Sequence, residues 1–145
     1  LGLRDSTLLV VTSDHGMVDV PFEARVDLAY SPELSADIVH VGGEPRALHL
    51  YCGPGPCAKV LATWRERFAG VMDVRTRGEA IAAGWFGPVE DRVLARIGDI
   101  IVTAVEPVAV VDSRTARREV LALVGMHGSL TDQEQLIPLM VMVTD

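Results

Sequence analysis

Three side chains in this 145-residue sequence have the types and settings for metal chemistry: Asp14, His15 and His127. Asp14 and His15 place a hard oxygen donor beside a borderline nitrogen donor, a pairing that suits zinc. They follow Leu8-Leu9-Val10-Val11, an apolar run expected to form a strand buried on both faces. The run stops at Thr12-Ser13-Asp14-His15-Gly16, so both donors sit where a strand gives way to a loop. Ligands bind in open α/β sheets at such strand ends. Neighbours within a strand point to opposite faces, so both donors reach one ion only if the backbone turns. Gly16 is expected to permit that turn. The competing reading is a plain polar turn in which Asp14 bonds its own backbone. His127 lies in a second loop of like composition, Gly125-Met126-His127-Gly128-Ser129, again after an apolar run. Zinc hydrolases collect ligands from separate strand ends in this way.

The elements that must hold these loops are legible in outline. Ile38–Val41 reads as a short strand closed by Gly42-Gly43. Arg46–Cys52 alternates, with Leu48, Leu50 and Cys52 on one face and His49 and Tyr51 on the other, as a half-buried strand does. Val60, Leu61, Trp64 and Phe68 share one face of a helix over Ala58–Phe68. A strand at Val71–Arg75 and a helix at Gly78–Ala83 follow. Ser31 and Pro32 can open a short helix. Asp99–Val105 reads as a buried strand, and Pro107–Val111 as a further one. Thr131 and Glu134 have the spacing of a capping box, opening a helix that Pro138 ends. Leu139–Val143 is the last strand expected, and Leu1–Ser6 reads as the tail of a helix with a tight connection. The strand–helix–strand–helix order from Arg46 to Ala83 suggests an inserted α+β unit. The expected division is therefore 1–40 and 88–145 as metal-binding core and 41–87 as inserted subdomain.

Composition narrows the function classes. Half the residues are apolar, so the chain is globular. The net charge of −7 argues against a nucleic-acid polymer as partner. It also poses a puzzle for a phosphate-binding site unless bound cations reverse the local field. No apolar run is long enough to span a membrane. Leu1–Asp5 has no signal-peptide pattern, and a cytoplasmic location is expected.

The segments Val11–Met17, Gly125–Thr131 and Ile137-Pro138-Leu139 together resemble the nucleotide pyrophosphatase/phosphodiesterase branch of the alkaline phosphatase superfamily. Gly84-Trp85-Phe86-Gly87 and Arg96-Ile97-Gly98-Asp99 look like bacterial members. The resemblance implies an α/β fold, part of an alkaline-phosphatase-like architecture with a mostly parallel central sheet and a small inserted α+β subdomain. It implies two Zn²⁺ ions, or other divalent metals, with Asp14 and His15 on one and His127 on the second. The family also uses a further aspartate, a threonine or serine nucleophile and an Asp-x-x-x-His pair. None of these is found in the sequence, and the resemblance places them upstream of Leu1. The implied reaction is cleavage of phosphodiester or pyrophosphate bonds in small nucleotide-type substrates through a covalent phospho-threonine or phospho-serine. The chain alone is then expected to be inactive, and to self-associate or pair with a missing N-terminal part. A phosphomonoesterase or phosphonate hydrolase of the same superfamily is the alternative, as is a non-catalytic binding domain that keeps the fold.

The other reactive side chains read as structural. His40 and His49 are isolated, and Cys52 and Cys57 have no second cysteine pair, so two free thiols are expected. Trp64 and Phe68 suit a helix face in the core. Trp85 and Phe86 are expected to anchor the inserted unit, and Ser129 and Thr131 to serve turn and cap.

Overall fold

The computed structural model describes residues 7–143. In chain order the strands are β1 (Leu8–Thr12), β2 (Val18–Asp19), β3 (Arg25–Asp27), β4 (Ile38–Glu44), β5 (Ala47–Cys52), β6 (Met72–Thr76), β7 (Ile100–Ala104), β8 (Ala109–Val111), β9 (Gly125–Met126) and β10 (Leu139–Val143). The helical segments are α1 (Pro32–Ser35), α2 (Cys57–Arg67), α3 (Arg77–Ala82), α4 (Asp91–Leu94), α5 (Arg118–Leu121) and α6 (Asp132–Gln135). The helix tail expected at Leu1–Ser6 lies outside the described residues.

A four-stranded antiparallel sheet in the order β4–β5–β7–β6 carries the core. Alternation on β5 turns Leu48 and Leu50 to one face, where both are buried. Val60 and Trp64 on α2 and Phe68 at its C-cap recur every four residues, so they form a single stripe that packs on that face with Val74 and Val102. The Trp64 indole N–H donates to the Leu34 carbonyl at 3.1 Å, which satisfies its one polar atom inside the core. On the other face Ile101 packs with Ala80 and Ile97, and Trp85 and Phe86 cover this second cluster. Helix α3 starts in a capping box formed by Thr76 and Glu79.

Several local expectations are corrected. Strand β4 runs on through Gly42-Gly43 to Glu44, because Gly43 takes a φ of 91° and keeps the pairing with Leu48. Cys52 and Cys57 are joined as a disulfide and not left as free thiols; the Gly-Pro-Gly-Pro loop brings their Cα atoms to 5.6 Å, inside the usual range. Strands β1 and β10 form where expected but pair only with each other, antiparallel, among the described residues. Their apolar side chains are exposed on both faces, from Leu9 at 41% to Leu139 at 71%, so the expected burial of Leu8–Val11 is absent among the described residues. Of the described pairings β3–β8 is parallel and the others are antiparallel.

The core stripe sets a stability expectation. Trp64→Ala should cost about 3–5 kcal/mol in urea unfolding, from lost burial and the cavity left behind. Tyr30→Ala, at a side chain 84% exposed, should change stability by less than about 0.5 kcal/mol.

Candidate metal centre

The two histidine loops are separated by most of the sequence yet meet, and the strand pairings explain why. The first loop runs from the end of β1 to the start of β2, and the second follows β9. Strand β10 comes after the second loop and α6, and it pairs with β1, with Thr12 opposite Leu139. Strand β9 pairs with β2, with Val18 opposite Met126. Both loops are thus held between two antiparallel pairings. His15 and His127 end up with their rings stacked, centroids 3.7 Å apart and planes 16° from parallel. Arg25 secures the approach to β9 by donating to the carbonyls of Val20, Leu121 and Leu123.

Local hydrogen bonds define the first loop. The Ser13 hydroxyl donates to the His15 carbonyl at 2.7 Å. The backbone N–H of His15 donates to Asp14 Oδ1 at 3.1 Å. His15 Nδ1 lies 2.8 Å from the Gly16 carbonyl, which can only accept, so this nitrogen carries the proton. The other ring nitrogen, Nε2, lies 3.9 Å from Asp14 Oδ2. Both rings are half-buried, and the Asp14 carboxylate is 89% exposed. Gly16 is required for a reason other than the expected turn. It is not among the glycines of positive φ, and a Cβ there would overlap the Gln133 carbonyl oxygen. Its N–H donates to the Glu134 carbonyl at 2.9 Å. Gly128 does take a positive φ, 117°, and a Cβ on it would come within 2.8 Å of the Glu44 Cβ.

The second loop rests on a buried ion pair that sequence reasoning did not find. Arg46 is fully buried and grips Glu134 through Nε to Oε1 at 2.8 Å and Nη2 to Oε2 at 2.9 Å. Its Nη1 donates to the carbonyls of Glu106 and Val108, both at 2.9 Å. Glu134 Oε1 also accepts the Ser129 backbone N–H at 2.9 Å, and Oε2 accepts the Thr131 hydroxyl. The expected capping box is therefore replaced: Glu134 is the right residue with different partners. Ser129 is buried too, and its hydroxyl donates to the Ala104 carbonyl. Burial works to raise the Glu134 pKa, but the bonds from Arg46, Thr131 and Ser129 outweigh it and leave the carboxyl below its ordinary value.

The structure therefore brings His15 and His127 together and leaves Asp14 exposed beside His15. Among the described residues no three His, Cys, Asp or Glu side chains converge tightly enough to hold an ion on their own. His40 and His49 lie elsewhere: His40 tilts against Tyr51, and His49 accepts the Gly98 N–H at 3.1 Å and meets the edge of Phe86. Burial lowers the His49 pKa. A cavity of about 430 Å³, lined by Glu44, Leu48, Val110, Arg114 and Met126 among others, ends one residue short of His127, and neither histidine of the pair lines it.

The sequence matches the type I phosphodiesterase / nucleotide pyrophosphatase family over residues 1–130. The chain belongs to that family. Solved structures of nucleotide pyrophosphatases share its fold. Human ectonucleotide pyrophosphatase / phosphodiesterase 5 superposes with a TM-score of 0.67 at 18% identity, over 94% of this chain and 34% of that one. The murine protein gives 0.70 at 20% identity, over 93% and 34%. Phosphonoacetate hydrolase from Sinorhizobium meliloti 1021, in complex with phosphonoacetate, gives 0.63 at 23% identity, over 92% and 35%. This chain thus spans about a third of the length of these neighbours. No curated protein matches the sequence. The expected α/β class and alkaline-phosphatase-like fold agree with these neighbours, although this piece is mostly antiparallel.

The Glu134 pair gives the fold a pH dependence with a defined sign. The folded carboxyl holds its proton less tightly than the unfolded one, so stability is fully present above the ordinary carboxylate range. It is lost as the pH falls through that range and on to the lower folded value. In Glu134→Gln this part of the acid dependence should vanish, giving a shallower fall of the denaturation midpoint between neutral and acid pH. An unchanged slope would contradict the assignment.

Proposed function

We propose that the chain is the metal-binding C-terminal part of a zinc-dependent hydrolase that cleaves phosphodiester or pyrophosphate bonds of small nucleotide-type substrates. The observation that carries this reading is the stacked pair of His15 and His127, delivered to one place by two distant loops. The donor set fits zinc. His15 donates through Nδ1 to a carbonyl and turns Nε2 toward Asp14, the arrangement that metal-bound histidines use to fix their orientation. Asp14 offers an exposed carboxylate beside it.

On this reading Asp14 and His15 hold one ion and His127 contributes to the second, with the remaining ligands supplied by residues outside this chain. When bound, the ions supply positive charge for an in-line displacement at phosphorus, which also offsets the acidity of the chain. A threonine or serine outside the chain attacks phosphorus, forming an O–P bond as the leaving-group oxygen departs, and water then cleaves that bond. The exposed apolar strands β1 and β10 would be covered by further polypeptide of the same catalytic domain.

The test is hydrolysis of bis(p-nitrophenyl) phosphate by the protein of the full open reading frame, with zinc supplied and then chelated, beside its His127→Ala variant. Zinc-dependent turnover should fall by at least about a hundredfold in the variant, the scale on which electrostatic contributions to the transition state are lost. Turnover of p-nitrophenyl phosphate or phosphonoacetate, with none of the diester, would replace the diesterase reading with the monoesterase or phosphonate one. No turnover of any of the three by folded, zinc-supplied protein would favour a binding domain.

A further inference from the structure

We propose that the buried Arg46–Glu134 pair is the positioning element of this site: through Glu134 it ties both histidine loops to the central sheet and so sets the spacing of the His15 and His127 rings. The inference rests on the reading of those histidines as metal ligands. It comes from what Glu134 touches. Its side chain takes the Ser129 N–H, two residues past His127, and its main-chain carbonyl takes the Gly16 N–H, one residue past His15. A single residue is thus hydrogen-bonded to both loops.

Glu134 cannot hold that place alone. It lies on a four-residue helix, too short to be stable by itself. Arg46 supplies the anchor, because its fork fixes both carboxylate oxygens while its third nitrogen donates to the carbonyls of Glu106 and Val108. Arg46 in turn belongs to the sheet: its carbonyl takes the Ala104 N–H at 2.8 Å, at the end of β7. The chain of contacts runs from β7 through Arg46 to Glu134 and then divides to Gly16 and Ser129. Burial makes the geometry stiff, since an opened pair would leave a charge without a partner. An Arg and a Glu in such a place do no chemistry on a substrate. Their effect is on where the two imidazoles stand.

The test uses the full chain and two variants. Glu134→Gln keeps the shape and removes the charge. Arg46→Met/Glu134→Leu replaces the pair with apolar groups of similar volume, a change that buried pairs often tolerate. Amide hydrogen exchange of zinc-free protein is measured first. In each folded variant the Gly16 and Ser129 amides should exchange at least about tenfold faster, while Leu50 and Val102 in the central sheet stay as in the wild type. Zinc affinity, read by competition with a chromophoric chelator, should then fall by about 10–100-fold. Unchanged exchange at Gly16 and Ser129, or a uniform rise through the whole sheet, would overturn the proposal. If Glu134→Gln does not fold, the double variant decides; if neither folds, the pair is a general strut and the positioning claim fails. A wild type that binds no zinc would remove the metal reading, and the exchange data would still decide whether Glu134 holds both loops.

Discussion

A carboxylate and a guanidinium meet inside this molecule with almost no access to water. Taking both charges out of water is costly, and the cost is offset only when every polar atom finds a partner in good geometry. Arg46 and Glu134 meet that condition, since Arg46 also donates to two carbonyls and Glu134 also accepts from Ser129 and Thr131. No buried side-chain nitrogen or oxygen among the described residues lacks a hydrogen-bond partner. Such a network is selective. It is satisfied in one arrangement of β5, β7, the 105–108 turn and α6, and a shift of any of them would strand a charge.

The remaining architecture of the site follows from two ladders and two glycines. Pairing of β1 with β10 and of β2 with β9 closes both ends of the loop pair. Gly16 lets the first loop touch the turn of α6, and Gly128 lets the second bend beside β4 in a conformation that a side chain would resist. These are constraints on backbone approach, and they explain why two half-buried imidazoles can stack without a direct bond between them. The histidine pair is thus a product of the fold around it more than of its own contacts.

Much of this was legible in the sequence where periodicity reports a local fact. The alternation of Leu48 and Leu50 and the spacing of Val60, Trp64 and Phe68 predict a strand and a helix, and the structure has both with those residues buried. The residue types and places after apolar runs single out Asp14, His15 and His127, and the fold stacks the two histidines. The apolar run at Leu8–Val11 was a weaker guide. Hydropathy records a demand for burial, but whether it is met depends on partners that a local pattern does not contain, and here one neighbouring strand is present. Arg46 stayed hidden for a related reason. Its partner is 88 residues away, and an arginine at the head of an alternating strand usually faces solvent. The spacing of Thr131 and Glu134 predicts a helix cap, yet spacing cannot say that a buried guanidinium will claim Glu134. The Cys52–Cys57 pairing depends on the path of a loop whose closure the spacing alone does not fix.

The central claim is that His15 and His127 belong to one metal-binding site. The direct measurement is anomalous X-ray scattering at the zinc edge from crystals of the full chain grown with zinc. The account predicts two anomalous peaks, one about 2.0–2.2 Å from His15 Nε2 with Asp14 turned toward it, and a second at that distance from a His127 ring nitrogen. Well-ordered histidines with no anomalous density beside them, in crystals grown with zinc, would contradict it.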